Sequence, residues 1–249
     1  MNDNDAVRLV QTRLRDNGFD LGAIDGIFGP RSRGALDIAL PALKQTPTVP
    51  IPPPSVPVQG GGRLAVLVGH NAASQGAVRA TDGRSEYDWN GDLAKMMAAL
   101  SPDRIKVFKR RSVGSYPREI AIAYEAIRAW GADAVLELHF NAFSDPSANG
   151  CEMLHNGTPG SSRLAAMVQE ATVKALGTKS RGTKRLSATE LRGGRSVFAL
   201  PGVPIIITEP YFGSNRRECM IAQERKGQLA AAQVEAALAF VADRRALNP

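Results

Sequence analysis

The sequence has few cysteines, few aromatic residues and no long apolar stretch. No apolar run approaches the roughly 18 residues that a membrane-spanning helix requires, so we expect no stable association with a membrane. The two cysteines, Cys151 and Cys219, fit no CxxC pair and no zinc-finger spacing, and we interpret them as ordinary thiols. The first residues, 1–5, are acidic and polar, unlike the basic start and apolar segment of a signal peptide. We therefore expect a protein that is made in the cytoplasm without a signal peptide.

Basic residues outnumber acidic residues by 31 to 24, which gives a formal net charge of +7. An excess of this size favours the approach to any anionic polymer, including nucleic acid and cell wall. Aromatic residues make up only 6% of the chain and do not interleave with the basic segments at 106–118 and 179–195. No nucleic-acid-binding motif is present either. We expect no nucleic-acid partner and interpret both basic segments as solvated surface.

A proline-rich segment divides the chain. Residues 46–57 hold closely spaced prolines, and three glycines follow at 60–62. Prolines at this density favour extended polyproline II, and the glycines add a flexible joint. The composition predicts a linker over residues 46–62 between a small module at 1–45 and a larger domain at 63–249.

The small module is predicted to be helical. Asp5 can cap a helix whose apolar residues Val7, Val10 and Leu14 recur at i, i+3 and i+7. After a loop, Pro30 is suited to the first position of a second helix. A module of this size has barely enough residues for a core of its own.

In the larger part, apolar strands alternate with amphipathic helices. Strands are predicted at 63–70, 105–108, 134–139 and 203–208, and helices at 92–100, 117–130, 161–176 and 223–246. This alternation predicts an α/β domain in which helices flank a mixed sheet. His70, His139 and Glu209 each lie at the carboxyl end of a strand, where open α/β sheets place their sites.

His70, Glu86 and His139 form a candidate zinc site. Two imidazoles and one carboxylate fill three of the four tetrahedral positions that Zn²⁺ prefers and leave one for water, which is typical of a catalytic zinc. Glu209 offers a carboxylate that can act as general base beside the metal. The third histidine, His155, has no partner motif, and we interpret it as structural or as a distant substrate contact.

The small module also carries a recognisable loop. Gln11, Leu14 and the Asp-Gly-Ile-Phe-Gly loop at 25–29 resemble the peptidoglycan-binding module of the three-helix type. The resemblance implies that Asp25, Gly26 and Phe28 bind the wall. The usual module continues into a second half, whereas this chain passes directly into the linker, so we expect a truncated copy.

A series of motifs runs through the larger part, namely Gly69-His70, Glu86 with Asn90 and Leu93, His139-Phe140-Asn141-Ala142, residues 181–184 and residues 204–215. Together they resemble the zinc-dependent N-acetylmuramoyl-L-alanine amidases of the third type over residues 64–241. The resemblance implies that His70, Glu86 and His139 are the zinc ligands and that Glu209 is the catalytic carboxylate.

Three further residues stand next to the predicted ligands. The family commonly has serine two residues before its second histidine, whereas this chain has Glu137. Residues i and i+2 of a strand share a face, so Glu137 could point towards the metal and rivals Glu209 as the catalytic carboxylate. We interpret Glu137 as a residue that orients a ligand or a substrate amide. Asn71 and Asn141 are predicted to support ligands or to contact substrate.

The resemblance implies hydrolysis of the amide bond between N-acetylmuramic acid and L-alanine. A binding module before a catalytic domain, basic charge and no signal peptide together resemble a modular phage endolysin, which acts on the cell wall once it is released into the periplasm. A bacterial effector or a wall-recycling enzyme would share the same motifs. We expect a monomer, because no oligomerisation pattern is present.

Two functions of other classes stay open. One is a wall-binding protein without catalysis, whose hydrolase domain has lost its metal. The other is a metallocarboxypeptidase, which would need an arginine to hold a free carboxylate; Arg110 or Arg111 could supply it.

Overall fold

The structure is a computed structural model that describes residues 3–16, 20–44 and 61–247. The chain divides into two compact units, Met1–Pro53 and Pro54–Pro249, each with a core of its own. Most of the predicted linker lies outside the described residues. Among the described helices, none combines the length and the apolar composition that a membrane-spanning helix needs.

In its described part, 3–16 and 20–44, the smaller unit contains two helices, α1 (Asp3–Asp16) and α2 (Pro30–Lys44). The buried apolar residues of this unit are Leu14 of α1, Leu21 of the loop that follows it and Ala35 of α2. Pro30 opens α2, as predicted. Asp5 lies inside α1, so the prediction that it caps this helix is wrong; an acidic residue is also favourable in the first turn, where it faces the positive end of the helix dipole.

The larger unit is a six-stranded sheet with helices on both faces. The strands are β1 (Leu64–Val68), β2 (Ile105–Lys109), β3 (Ala134–Leu138), β4 (Cys151–His155), β5 (Ser180–Arg185) and β6 (Ile205–Glu209). The helices are α3 (Glu86–Leu100), α4 (Tyr116–Trp130), α5 (Pro159–Leu176), α6 (Gly194–Val197), α7 (Arg216–Glu224) and α8 (Lys226–Leu247). The strand order is β2-β1-β3-β6-β4-β5, and all pairs are parallel except β4 with β6. The prediction of a mixed α/β sheet is confirmed.

The burial of β1 explains why its sequence is apolar without interruption. Leu64, Val66 and Val68 pack into a core with residues of α3, α5 and α8. The alternate residues, Ala65 and Leu67, pack against α4 and α6 on the other face. A strand covered on both faces needs apolar side chains at every position, and its polar neighbours then mark the edge of the sheet.

Several predicted elements need correction. Two strands, β4 and β5, were absent from the prediction. The predicted helix at 92–100 begins six residues earlier, because Ser85 accepts a hydrogen bond from the Asp88 amide at 3.1 Å and caps α3. The predicted closing helix at 223–246 is two helices, α7 and α8, which separate at Arg225.

Candidate metal centre and its cleft

The three predicted zinc ligands lie together at the carboxyl ends of β1 and β3. Glu86 Oε1 is 2.8 Å from His139 Nδ1, and Glu86 Oε2 is 3.2 Å from His70 Nε2. One donor atom from each residue lies within 4.8 Å of the other two. The ends meet because β1 and β3 are parallel neighbours, and the Gly69 amide donates to the Leu138 carbonyl at 3.0 Å.

Glu86 is the first residue of α3 and is buried. Its carboxylate accepts hydrogen bonds from the Phe140 amide at 3.1 Å and the Ala77 amide at 3.3 Å. Burial opposes its charge, but the hydrogen bonds with His139 and His70 outweigh burial and lower the pKa of Glu86 to about 2. The carboxylate therefore stays ionised, as a metal ligand must.

His70 has a backbone φ of +64°, the only non-glycine residue in the described part of the chain with a positive φ. This left-handed conformation is uncommon for residues with a side chain and is found disproportionately at functional sites. Here it turns the chain out of β1 so that the imidazole faces Glu86.

The residues present fit a zinc ion. The donor set of two imidazoles and one carboxylate is the set that catalytic zinc sites use. Beside them, Glu209 Oε2 is a buried oxygen with no hydrogen-bond partner among the described residues. A buried carboxylate oxygen without a partner is costly, so a cation or a polarised water beside it would lower the free energy of the folded state.

Glu209 is the last residue of β6, next to His139. Leu138 pairs with Thr208, and the His139 amide donates to the Thr208 carbonyl at 3.0 Å, so the residues that follow emerge side by side. Burial raises the pKa of Glu209 to about 8. A carboxyl group with a pKa near neutrality is suited to accept and then release a proton.

Glu137 is buried beneath His139 and contacts it directly. Its Oε1 is 3.1 Å from His139 Nε2, and its Oε2 accepts a hydrogen bond from the Tyr124 hydroxyl at 2.8 Å. Burial raises the pKa of Glu137, but the contacts with His139 and the other neighbours hold it below its ordinary value. A carboxylate at Nε2 favours the tautomer in which Nδ1 is free to bind a metal.

The two asparagines differ in their surroundings. Asn71 is buried; its side chain donates to Glu119 at 2.7 Å and accepts from the Ser74 amide at 2.8 Å, so it holds the loop after His70. It does not line the cleft whose walls include His70, Glu86, His139 and Glu209. Asn141 lines the cleft and donates to Glu152 Oε1 at 2.9 Å. Asn71 was predicted either to support a ligand or to contact substrate, and its contacts favour the supporting role.

Residues 64–239 match the N-acetylmuramoyl-L-alanine amidase family. The chain belongs to this family. Membership assigns it to the enzymes that hydrolyse amide bonds in peptidoglycan. Among curated protein sequences, none matches the chain.

Solved structures of amidases share the fold. The N-acetylmuramoyl-L-alanine amidase from Clostridium difficile 630 is 25% identical, with a TM-score of 0.59, 72% of this chain covered and 97% of that one. The catalytic domain of CD27L endolysin, which targets Clostridia difficile, is 22% identical, with a TM-score of 0.59 and the same coverage, 72% and 97%. The amidase AmiC2 of Nostoc punctiforme is 23% identical, with a TM-score of 0.55 and again 72% and 97% covered.

The amidase cleft has a volume of about 850 Å³. Some of the residues that line it were not predicted from the sequence. Glu152 on β4 and Arg192 both line it, together with Arg181, which was noted only as part of a motif. The signal for Glu152 was a single acidic residue in the apolar segment 151–154. It was missed because β4 itself was missed.

The remaining candidates lie outside the amidase cleft or at its margin. Arg110 lines the cleft, but its Nε donates to the His70 carbonyl at 3.1 Å, and Arg111 is exposed outside the cleft. His155 is at the opposite end of β4 from Glu152, where its Nδ1 accepts from the Gly157 amide at 3.1 Å. Its position favours the structural interpretation.

In the smaller unit, hydrogen bonds from a buried side chain hold the predicted wall-binding loop. Gln11 is buried; it donates to Asp25 Oδ1 at 2.9 Å and accepts from the Gly26 amide at 2.9 Å. Asp25 and Gly26 therefore shape the loop. Phe28 is half-buried, and the neighbouring Ile27 is 67% exposed. Wall binding by this loop stays a prediction.

Proposed function

We propose that this chain is a zinc-dependent amidase that cleaves the bond between N-acetylmuramic acid and the L-alanine of the stem peptide. The observation that carries the proposal is the convergence of His70, Glu86 and His139 in one cleft, with Glu209 on the adjacent strand end.

In the proposed reaction, His70, Glu86 and His139 would hold zinc. Zinc, when bound, lowers the pKa of a coordinated water and polarises a carbonyl group. Glu209 takes a proton from the attacking water and delivers it to the nitrogen of L-alanine, so the amine leaves in neutral form. Glu137 accepts a hydrogen bond from His139 Nε2 and fixes the orientation of that ring.

We further propose that the smaller unit binds cell wall and that the whole chain acts as an endolysin. The exposed loop around Ile27 and the proline-rich composition of residues 46–57 support this arrangement. A tethered binding module raises the concentration of a catalytic domain at an insoluble substrate without any new contact.

The test is mass spectrometry of purified peptidoglycan after digestion by the zinc-loaded full chain. We expect free stem peptides that begin with L-alanine and no new reducing sugars. A chelator should abolish the release of stem peptides, and added zinc should restore it. Glu209→Gln, with zinc content unchanged and a cooperative unfolding transition retained, serves as the inactive control.

Other products would indicate a different enzymatic activity. New reducing ends would indicate a glycosidase, and cleavage within the peptide would indicate a peptidase. An absence of products from protein with bound zinc would favour wall binding without catalysis.

The wall-binding part has a separate test in the full chain. We expect Phe28→Ser to reduce sedimentation with insoluble peptidoglycan while cleavage of soluble muropeptides is unchanged. Equal sedimentation of the variant and the parent would refute a role for this loop.

A further inference from the structure

A buried carboxylate holds two arginines at one wall of the cleft. Glu152 is 1% exposed. Its Oε2 accepts from Arg181 Nε at 3.0 Å, and its Oε1 accepts from a terminal nitrogen of Arg192 and from Asn141. Two guanidinium groups share a single carboxylate, so the cluster keeps a positive charge that faces the cleft.

The backbone around Arg192 is fixed by the packing of the loop that carries it. The next residue, Gly193, has a φ of +105°, and a Cβ added there would overlap Ile207 Cδ1 of β6. The loop can approach the sheet this closely only with glycine at this position. On the other side, the Arg181 guanidinium lies 5.1 Å from the centre of the Phe212 ring. Both arginines are thus held in place.

The arginine pair lies beside the predicted catalytic carboxylate. Glu152 is directly opposite Glu209 in the antiparallel pairing of β4 with β6. Residues opposite one another in such a ladder project to the same face, with Cβ atoms about 5 Å apart. A group bound by the arginines would therefore lie close to the atoms on which Glu209 acts.

Both arginines retain donors for a ligand. A guanidinium group has five N–H donors, and Arg192 uses one terminal nitrogen for Glu152. Its Nε and other terminal nitrogen have no hydrogen-bond partner in the part of the chain that the structure describes. The side chains of Arg181 and Arg192 are 40% and 51% exposed, so a substrate can reach them.

We propose that Arg181 and Arg192 form a carboxylate-binding subsite for the acidic residue that follows L-alanine in the stem peptide. This inference rests on the proposed function. The second residue of the stem is a glutamate joined through its side chain, so its α-carboxylate is free unless it is amidated. Guanidinium forks bind such carboxylates through paired hydrogen bonds, and an amide cannot replace the second acceptor.

The test uses two N-acetylmuramoyl tripeptides that differ only at this α-carboxyl group, which is free in one and amidated in the other. We expect the zinc-loaded full chain to favour the free acid by about tenfold or more in kcat/KM, because its charge-assisted hydrogen bonds are lost with the amide. In Arg192→Gln the preference should fall to near one, through a higher KM for the free acid. Arg192→Lys, which keeps the charge without the fork, should give an intermediate preference.

Arg128→Gln is the matched control, because Arg128 is exposed on α4 and outside the cleft. It should leave the preference unchanged. A third tripeptide, amidated only at the carboxylate of its last residue, separates the two possible sources of the carboxylate. Melting temperature and zinc content show that each variant is folded and loaded.

Equal cleavage of the free and amidated peptides by the parent, or an unchanged preference in Arg192→Gln, would overturn the subsite. A preference that depends only on the carboxylate of the last residue of the peptide would overturn the subsite as well. If the loaded protein cleaves neither peptide, the proposed function fails, and calorimetry with the same two peptides then decides the subsite on binding alone. Tighter binding of the free acid that Arg192→Gln removes would support it, and equal binding would refute it.

Discussion

Gly76 offers the sharpest test of which atoms bind the metal. It lies in the loop between His70 and Glu86 with a φ of +78°, and a Cβ added there would be 2.6 Å from His70 Nε2 and 2.7 Å from Glu86 Oε2. To reach an ordinary non-bonded separation of about 3.5 Å, these atoms would have to move by roughly 0.9 Å. Distances in a metal site tolerate deviations of only about 0.2 Å. Gly76→Ala should therefore displace both ligands.

Gly83 provides the matched control within the same loop. Its φ is +67°, and nothing lies within 4 Å of an added Cβ. Alanine at either position must adopt a left-handed conformation, which costs about 1–2 kcal/mol. The two variants should share this loss of stability, and only Gly76→Ala should weaken zinc binding, by about 100-fold or more.

The measurements are zinc affinity against a competing chelator and unfolding of the metal-free proteins. Zinc should raise the melting temperature of Gly83→Ala as it does that of the parent, because a ligand that binds only the folded state stabilises it. At the same zinc concentration the rise should be smaller in Gly76→Ala. Equal zinc affinities of the two variants would refute the reasoning, because the atoms that Cβ displaces would then not be ligands.

The remaining predictions concern Glu209 and Glu137. Glu209→Gln should lower kcat by about 10²- to 10⁴-fold, the usual effect of losing a general base, with zinc affinity retained; a residual rate near that of the parent would assign proton transfer elsewhere. In metal-free protein the folded-state pKa of Glu209 is raised to about 8 from 4.5, so the folded state binds more protons than the unfolded state between these values, and stability falls as pH rises. Urea unfolding should accordingly find Glu209→Gln more stable than the parent by a margin that grows from pH 5 to pH 8. Glu137→Gln should weaken zinc binding by about tenfold or more, since His139 Nε2 loses its carboxylate partner, whereas Tyr124→Phe, one contact further from the metal, should have a smaller effect.

The predicted ligands were accessible from the sequence because a local pattern marks them. The strands that precede His70 and His139 are buried on both faces, so their residues are apolar until the chain leaves the sheet. A polar residue at that point is visible without any structure. Glu86 was harder to assign, because a carboxylate in the first turn of a helix is common; family resemblance supplied it.

The missed part of the site depends on pairing that no local pattern records. β4 is only five residues long and pairs antiparallel with β6, a strand about 50 residues further along the chain. β5 is a polar edge strand, and none of its residues is buried. Without these strands, Glu152 had no position relative to Glu209, and the arginines that it holds were interpreted as solvated surface. A role for these arginines could be inferred only after the register of β4 with β6 placed Glu152 opposite Glu209.

Glu86 and Glu209 differ in protonation because their surroundings differ. Glu86 faces two imidazoles and two backbone amides, which lower its pKa to about 2 despite burial, so it remains an anion that can bind a cation. Glu209 has a buried oxygen without a partner, and burial raises its pKa to about 8. When their environments move the pKa values of two carboxyl groups in opposite directions, one group stays charged and the other can transfer protons. A bound cation would lower the pKa of Glu209 from its metal-free value, because a nearby positive charge favours the ionised form. The same residue would then be an anion when water is to be deprotonated and, after taking that proton, an acid for the leaving amine.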